Sequence, residues 1–303
     1  MISIIGAGKV GSAIALLAAS QGLDDIVLLN RTKSKAVGES LDISNAIPTR
    51  SKISILGTND YSKIVDSKVV VITASTGIYK TSRTELLKGQ ISMIKKIARN
   101  IQSINSRCVF LVISNPVDIL TYFFQKETSF SSKKIIGIAS SLDSARFRYI
   151  LSKHFDVNQS NFCDVWVLGE HGNSMVPIFS RVKLKHERVI TKLTRNQVLE
   201  ITNQVRYYWK TLRKYKNRSA YGIAKHTYNV IESIIKKDEY LLPASIMLNG
   251  EYGESNVCMG VPLIMDKNGL KSVKQIDLNN SEKLALHTSA QTIKNLIQKN
   301  DGF

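Results

Sequence analysis

A histidine sits between glycines in Gly169-Glu170-His171-Gly172-Asn173-Ser174-Met175-Val176-Pro177, directly after the hydrophobic run Val165-Trp166-Val167-Leu168. An imidazole at the end of a buried strand is a candidate proton donor and acceptor near neutral pH. Upstream, Leu142-Asp143-Ser144-Ala145-Arg146 offers a carboxylate and a guanidinium three residues apart. A carboxylate can orient an imidazole, and a guanidinium can grip another carboxylate through two parallel hydrogen bonds. Brought together, these groups form an oriented acid/base beside an anchor for an organic acid. That is equipment for oxidising a hydroxy acid or reducing a keto acid.

The elements that must position these groups divide the chain in two. In the first half, short apolar strands at residues 1–5, 26–29, 69–73, 109–114 and 135–138 alternate with helical stretches at 11–21, 33–46, 83–104 and 117–126. Such alternation predicts a parallel, doubly wound α/β sheet. In the second half, a helix is expected over 143–154, a strand over 165–168, and helices over 195–213 and 220–236. Strands at 244–249, 257–264 and 269–273 then read as antiparallel, and a helix over 281–299 closes the chain. The expected division is a dinucleotide-binding domain over 1–140 and an α+β substrate domain over 141–303, packed without an obvious linker.

Gly6-Ala7-Gly8-Lys9-Val10-Gly11 links the first strand to the first helix. Gly6 allows a tight turn, Gly8 lets backbone approach a pyrophosphate, and Gly11 permits close helix–strand packing. The helix N-terminus behind Lys9 and Val10 favours an anion. The second strand ends in Asn30-Arg31-Thr32-Lys33, where an acidic residue would accept from the ribose hydroxyls of NAD. Asn30 carries no charge to repel a 2′-phosphate, and Arg31 can pair with one, so the expectation leans towards NADP(H) over NAD(H).

Composition bounds the rest. The net charge of +18 is spread over many lysines, with short runs such as residues 210–218. It reads as a solvated surface that also attracts anionic substrates and cofactors; nucleic-acid binding is the competing reading. Cys108, Cys163 and Cys258 lack metal or redox spacing, so reduced thiols and no metal are expected. No apolar run is long enough to cross a bilayer, and residues 1–20 read as a strand and helix rather than a leader, so the cytoplasm is the expected location.

Together the motifs resemble the L-lactate/malate dehydrogenase family, most closely its archaeal malate dehydrogenase branch. The resemblance covers nearly the whole chain. It rests on Gly6–Gly11, Ser114-Asn115-Pro116-Val117-Asp118, Leu142–Arg146 with the following Phe147-Arg148-Tyr149, and Gly169–Pro177. Gly250-Glu251-Tyr252-Gly253 and Gly260-Val261-Pro262 add support. The resemblance implies a Rossmann-type domain followed by the substrate domain, with the site in the cleft between them. It implies that His171 exchanges a proton with the substrate oxygen, that Asp143 fixes its tautomer, and that Arg146 holds the C1 carboxylate. It also implies that Arg83 polarises the carbonyl under a closing loop, that Asn115 orients the nicotinamide ribose or the substrate oxygen, and that the protein is a homo-oligomer, dimer or tetramer.

The chain departs from the family where substrate is selected. Residues 74–83 read Ala-Ser-Thr-Gly-Ile-Tyr-Lys-Thr-Ser-Arg, with no arginine before Arg83 to meet a distal carboxylate. Lys80 is the nearby cation and the candidate substitute. Asn173 replaces the usual aspartate, Gln90 stands where asparagine is common, and Tyr221-Gly222-Ile223-Ala224 looks like the lactate-enzyme version of its segment. Malate/oxaloacetate is expected first, with lactate/pyruvate or a bulkier 2-keto acid as the alternative. A basic nucleic-acid-binding protein and an inactive coenzyme-binding scaffold are the readings from other classes. Single residues also have plainer readings, with Asp143 as a helix cap, Arg146 as a surface cation and His171 as a loop histidine. His154, His186, His226 and His287 lack a comparable setting and read as structural or solvated.

Overall fold

The computed structural model describes residues 1–77, 83–104 and 107–302, with backbone alone for 83 and 84. The first half contains β1 (Ile2–Ile5), α1 (Lys9–Ser20), β2 (Ile26–Leu29), α2 (Lys33–Ser44), β3 (Ile55–Thr58) and β4 (Val69–Ile72). It continues with α3 (Arg83–Asn100), β5 (Val109–Val112), α4 (Val117–Glu127) and β6 (Ile135–Gly137). These six strands pair in parallel in the order β3-β2-β1-β4-β5-β6. Strands β1, β2, β4 and β5 are buried throughout, which is why β2, β4 and β5 read as unbroken aliphatic or aromatic runs and β1 departs from one only at Ser3, whose hydroxyl pairs with Ser67. The strand order reverses between β1 and β4, and open α/β sheets bind ligands at the carboxyl ends of the strands flanking such a point.

The second half begins with α5 (Ser140–His154) and five two-residue strands: β7 (Phe162–Cys163), β8 (Val167–Leu168), β9 (Val176–Pro177), β10 (Lys183–Leu184) and β11 (Glu187–Arg188). It ends with α6 (Arg195–Arg206), α7 (Tyr208–Arg213), α8 (Tyr221–Lys236), β12 (Tyr240–Asn249), β13 (Ser255–Asp266), β14 (Gly269–Val273) and α9 (Asn280–Gln298). The antiparallel strands β12, β13 and β14 do not form a separate sheet. They extend the parallel one through a single pair, Ser245 opposite Gly137. The core of the first half therefore runs on into the second without a gap. A second, smaller core gathers Phe147, Leu151, Phe162, Val167, Phe179 and Val205 beneath the histidine loop. Helix α5 contributes to both, with Leu142 in one and Phe147 in the other.

Several elements differ from expectation. Strand β3 is an additional edge strand; Gly57 and Thr58 cut short the apolar run that marks its neighbours, and Leu56 is exposed. The helix expected over 195–213 is two helices, because Tyr207 at φ −106°, ψ 13° interrupts it. Strand β12 starts four residues earlier than expected, with Pro243 inside it, and α5 starts at Ser140 rather than 143. The expected strand at 165–168 is reduced to Val167–Leu168. No described helix is long and apolar enough to cross a membrane.

Candidate active site

Helix α5 carries Asp143 in its first turn, 1% exposed, one turn ahead of Arg146. Asp143 is not the helix cap; that position belongs to Ala139. Its carboxylate instead serves two cations. Oδ2 lies 2.5 Å from Nδ1 of His171, and Oδ1 accepts from Nη1 of Arg146 at 3.0 Å. Burial alone would push the Asp143 carboxyl up and the His171 imidazole down. The facing charges outweigh it: His171 and Arg146 hold Asp143 below the usual carboxylate range, and Asp143 raises His171 above its ordinary value. An ionised Asp143 can only accept, so Nδ1 carries the hydrogen and Nε2 is left to take or give a proton. Arg146 also stacks over the Tyr208 ring, 5.2 Å from its centre.

The loop bearing His171 is tied down on three sides. Gly169, at φ 84°, exchanges both backbone hydrogen bonds with Gly260 in the middle of β13, each 2.9 Å. A Cβ at Gly260 would lie 1.9 Å from Ser140 Oγ, so this crossing of β13 over the start of α5 needs glycine. The backbone N–H of Glu170 donates to Ser289 Oγ of α9 at 2.8 Å, and Glu170 Oε2 accepts from Ser174. The third tie is Asp118, in the first turn of α4: its Oδ2 accepts the His171 backbone N–H at 2.7 Å. Asp118 is buried, and burial pushes its carboxyl up to about 6. Asp118 was legible only as part of the Asn115-Pro116-Val117-Asp118 motif; a charged residue in a turn otherwise packed with Val117, Ile119 and Leu120 was its signal.

The other expected residues fall into three groups. Gly6, Gly8, Lys9, Val10 and Gly11 form the turn from β1 into α1, at the switch point of the sheet. Thr73 Oγ1, just past β4, donates to the Gly6 carbonyl at 2.8 Å. A Cβ at Gly11 would lie 2.0 Å from that carbonyl oxygen, whereas one at Gly8 would meet nothing within 4 Å. Gly8 therefore faces open space at a helix N-terminus without a side-chain cap, and backbone N–H groups there suit a pyrophosphate. This cradle fits a dinucleotide. Asn30 and Arg31 follow β2; Asn30 Nδ2 donates to the Thr32 carbonyl at 3.1 Å, and exposed Arg31 donates to the Thr76 carbonyl at 3.4 Å. Asn115 is exposed after β5, joined to Pro116 by a cis bond, and its Oδ1 accepts from the Val117 N–H at 3.3 Å. Lys80 lies outside the described residues, and Arg83 is placed by its backbone, as the first residue of α3.

Beside Arg146 a cavity of about 280 Å³ opens between α5, α7 and the start of α8. Tyr208, Lys216, Tyr221 and His226 line it. His226, expected to be structural or solvated, is thus a wall residue of the pocket that holds Arg146. Burial, and then the Arg148 charge, push its imidazole below the ordinary value. Cys108 and Cys258 are buried, Cys163 is exposed, and all three are free thiols. Among the described residues no cluster of side chains is suited to hold a metal ion.

The model of the lactate/malate dehydrogenase NAD-binding domain matches residues 1–137, and that of the lactate/malate dehydrogenase alpha/beta C-terminal domain matches residues 140–303. A malate dehydrogenase of Bacteroides fragilis is 33% identical over 300 residues, covering 96% of this chain and 95% of that protein. An L-lactate dehydrogenase of Acetivibrio thermocellus is 31% identical over 312 residues, covering 99% and 97%. Among solved structures, the lactate dehydrogenase of Cryptosporidium parvum, complexed with lactic acid and β-nicotinamide adenine dinucleotide, superposes with a TM-score of 0.94 at 30% identity, covering 100% of this chain and 98% of that one. With both of its halves matched, and the Asp143–His171 pair in place in the second, the chain belongs to the lactate/malate dehydrogenase family.

Proposed function

We propose that this chain is a nicotinamide-dependent L-2-hydroxy-acid dehydrogenase that interconverts malate and oxaloacetate, with His171 and Asp143 as its acid/base pair. The observation that carries the reading is one buried carboxylate serving both His171 and Arg146. His171 Nε2 takes the proton of the 2-hydroxyl during oxidation and returns one to the keto oxygen during reduction. Asp143 holds the tautomer and stabilises the imidazolium that forms. Arg146 has further N–H donors beyond the one given to Asp143, and these bind the C1 carboxylate as a fork that lysine could not copy. When bound, the nicotinamide supplies the hydride acceptor or donor. Gly6, Gly8 and Gly11 with Lys9 and Val10 hold its pyrophosphate, and Asn115 orients the adjoining ribose or the substrate oxygen. Arg83 polarises the substrate carbonyl, and Lys80 is the candidate cation for a second carboxylate. The dinucleotide half is assigned to residues 1–140 and the substrate half to 141–303.

NAD is the coenzyme that the matching family model describes. The Asn30–Arg31 turn, which offers no carboxylate to repel a 2′-phosphate, supports use of NADP(H) as well. The second reading is lactate/pyruvate, favoured by Tyr221-Gly222-Ile223-Ala224 and the missing loop arginine. We place the protein in the cytoplasm as a homo-oligomer, dimer or tetramer, without a nucleic-acid partner. Steady-state reduction of oxaloacetate and of pyruvate, each with NADH and NADPH, tests these assignments. Preference for pyruvate moves the chain to the lactate side, and clear preference for NADH removes the assignment made to Arg31. His171→Asn is expected to abolish turnover while coenzyme still binds.

A further inference from the structure

Positions 201–231 contain no aspartate or glutamate, yet hold seven lysines and arginines between Arg206 and Lys225. Helix α7 and the start of α8 arrange part of this acid-free stretch around the cavity beside Arg146. One of these cations, Lys216, lines the cavity itself. Its ammonium lies 3.7 Å from the centre of the Tyr221 ring. A ring face attracts and steadies a cation without cancelling its charge. No carboxylate among the described residues forms an ion pair with Lys216.

The cavity therefore has two cations of different standing. Arg146 shares its charge with Asp143, while Lys216 keeps its own. Tyr208, Leu212 and Tyr221 form much of the remaining wall. An acid with a single carboxylate meets Arg146 and leaves Lys216 unanswered. An acid with two answers both. We propose that Lys216 is a specificity-determining residue, and that this cavity selects 2-oxo acids bearing a second carboxylate, which Lys216 binds.

The inference rests on the dehydrogenase reading above, with Arg146 as the C1 anchor. It gives a described residue for the role of the arginine missing from residues 74–83. It also explains how a chain with a lactate-like Tyr221-Gly222-Ile223-Ala224 segment can accept a dicarboxylate: Tyr221 is the ring on which Lys216 rests.

The test compares kcat/KM for oxaloacetate and pyruvate in the full-length protein, Lys216→Met and Lys216→Arg, at saturating NADH and one ionic strength. Lys216→Met is expected to lower the oxaloacetate-to-pyruvate ratio by about ten- to a hundredfold, the worth of a hydrogen bond to a charged group, with the loss in KM for oxaloacetate. Lys216→Arg should recover part of the ratio. A parallel fall for both substrates, or an unchanged ratio, overturns the role of Lys216. A wild-type protein that reduces pyruvate but not oxaloacetate overturns the dicarboxylate assignment and leaves the dehydrogenase reading standing. A folded wild-type protein that reduces neither overturns that reading, and the inference with it.

Discussion

Replacing Asp143 by asparagine keeps the side-chain shape and removes one buried charge. In the native site that charge sits 2.5 Å from His171 Nδ1 and 3.0 Å from Arg146 Nη1, at 1% exposure. Two consequences follow. The imidazolium that forms during hydroxy-acid oxidation loses a charge-assisted hydrogen bond worth about 1.5–3 kcal/mol, so kcat for oxidation should fall about ten- to a hundredfold. The pH profile should move as well. In the wild type Asp143 raises the His171 pKa against burial, so the protonated form needed for reduction persists above the ordinary histidine range. In the variant, burial and the Arg146 charge act unopposed by Asp143, and both lower it. The alkaline limb of kcat/KM for reduction should shift to lower pH, and the rise of the oxidation rate with pH should shift the same way. Linkage gives the same sign for stability: the contribution of the raised His171 is present below its unfolded pKa and lost as pH rises through the folded one. The assay is a pH–rate profile in both directions, with coenzyme binding followed by fluorescence as the control. A variant that keeps the wild-type limb and loses less than about twofold in kcat would refute the argument that Asp143 sets the protonation of His171.

Two further substitutions separate fold from site. Gly11→Ala would place a Cβ 2.0 Å from the Gly6 carbonyl oxygen, so thermal melting should drop and coenzyme binding should vanish, whereas Gly8→Ala meets open space and should melt within about 2 °C of wild type while its NADH Kd rises about tenfold. Equal melting of the two variants, measured by calorimetry, would show that the cradle is misassigned. Asp118→Asn keeps an acceptor for the His171 N–H but cannot ionise. Because burial raises the native carboxyl to about 6, the stability it contributes is present at low pH and lost as pH rises through that value. The stability of Asp118→Asn relative to wild type should therefore grow between about pH 4 and pH 7, by at most about 3 kcal/mol, and urea unfolding across that range checks it.

The groups assigned here to the chemistry were readable because their types and spacing are demanding. His171 between glycines, the Asp143–Arg146 pair and the Gly6–Gly11 turn each stand where local sequence dictates, and the structure brings the first three side chains together. What was not readable depends on contacts far apart in the chain. Asp118 and His171 are 53 positions apart, and nothing local announces that a carboxylate will accept a backbone N–H from that distance. The continuity of β6 with β12 rests on one pair, Ser245 with Gly137, which periodicity within either strand cannot reveal. That His226 lines the cavity beside Arg146 was not readable because the other walls come from α5 and α7, outside its own helix. The break at Tyr207 lay hidden inside a continuous helical pattern, since no glycine or proline marks it.

The clamping of the histidine loop also makes it depend on a helix more than a hundred residues away. The loop is held at His171 by Asp118 from α4, at Gly169 by Gly260 from β13 and at Glu170 by Ser289 from α9, so its supports come from elements far apart in the chain. A truncated chain that lacks α9 keeps Asp143, Arg146 and His171 but loses the Ser289 tie on the loop that carries the imidazole. Such a chain is expected to lose turnover even where the Gly6–Gly11 turn still binds coenzyme.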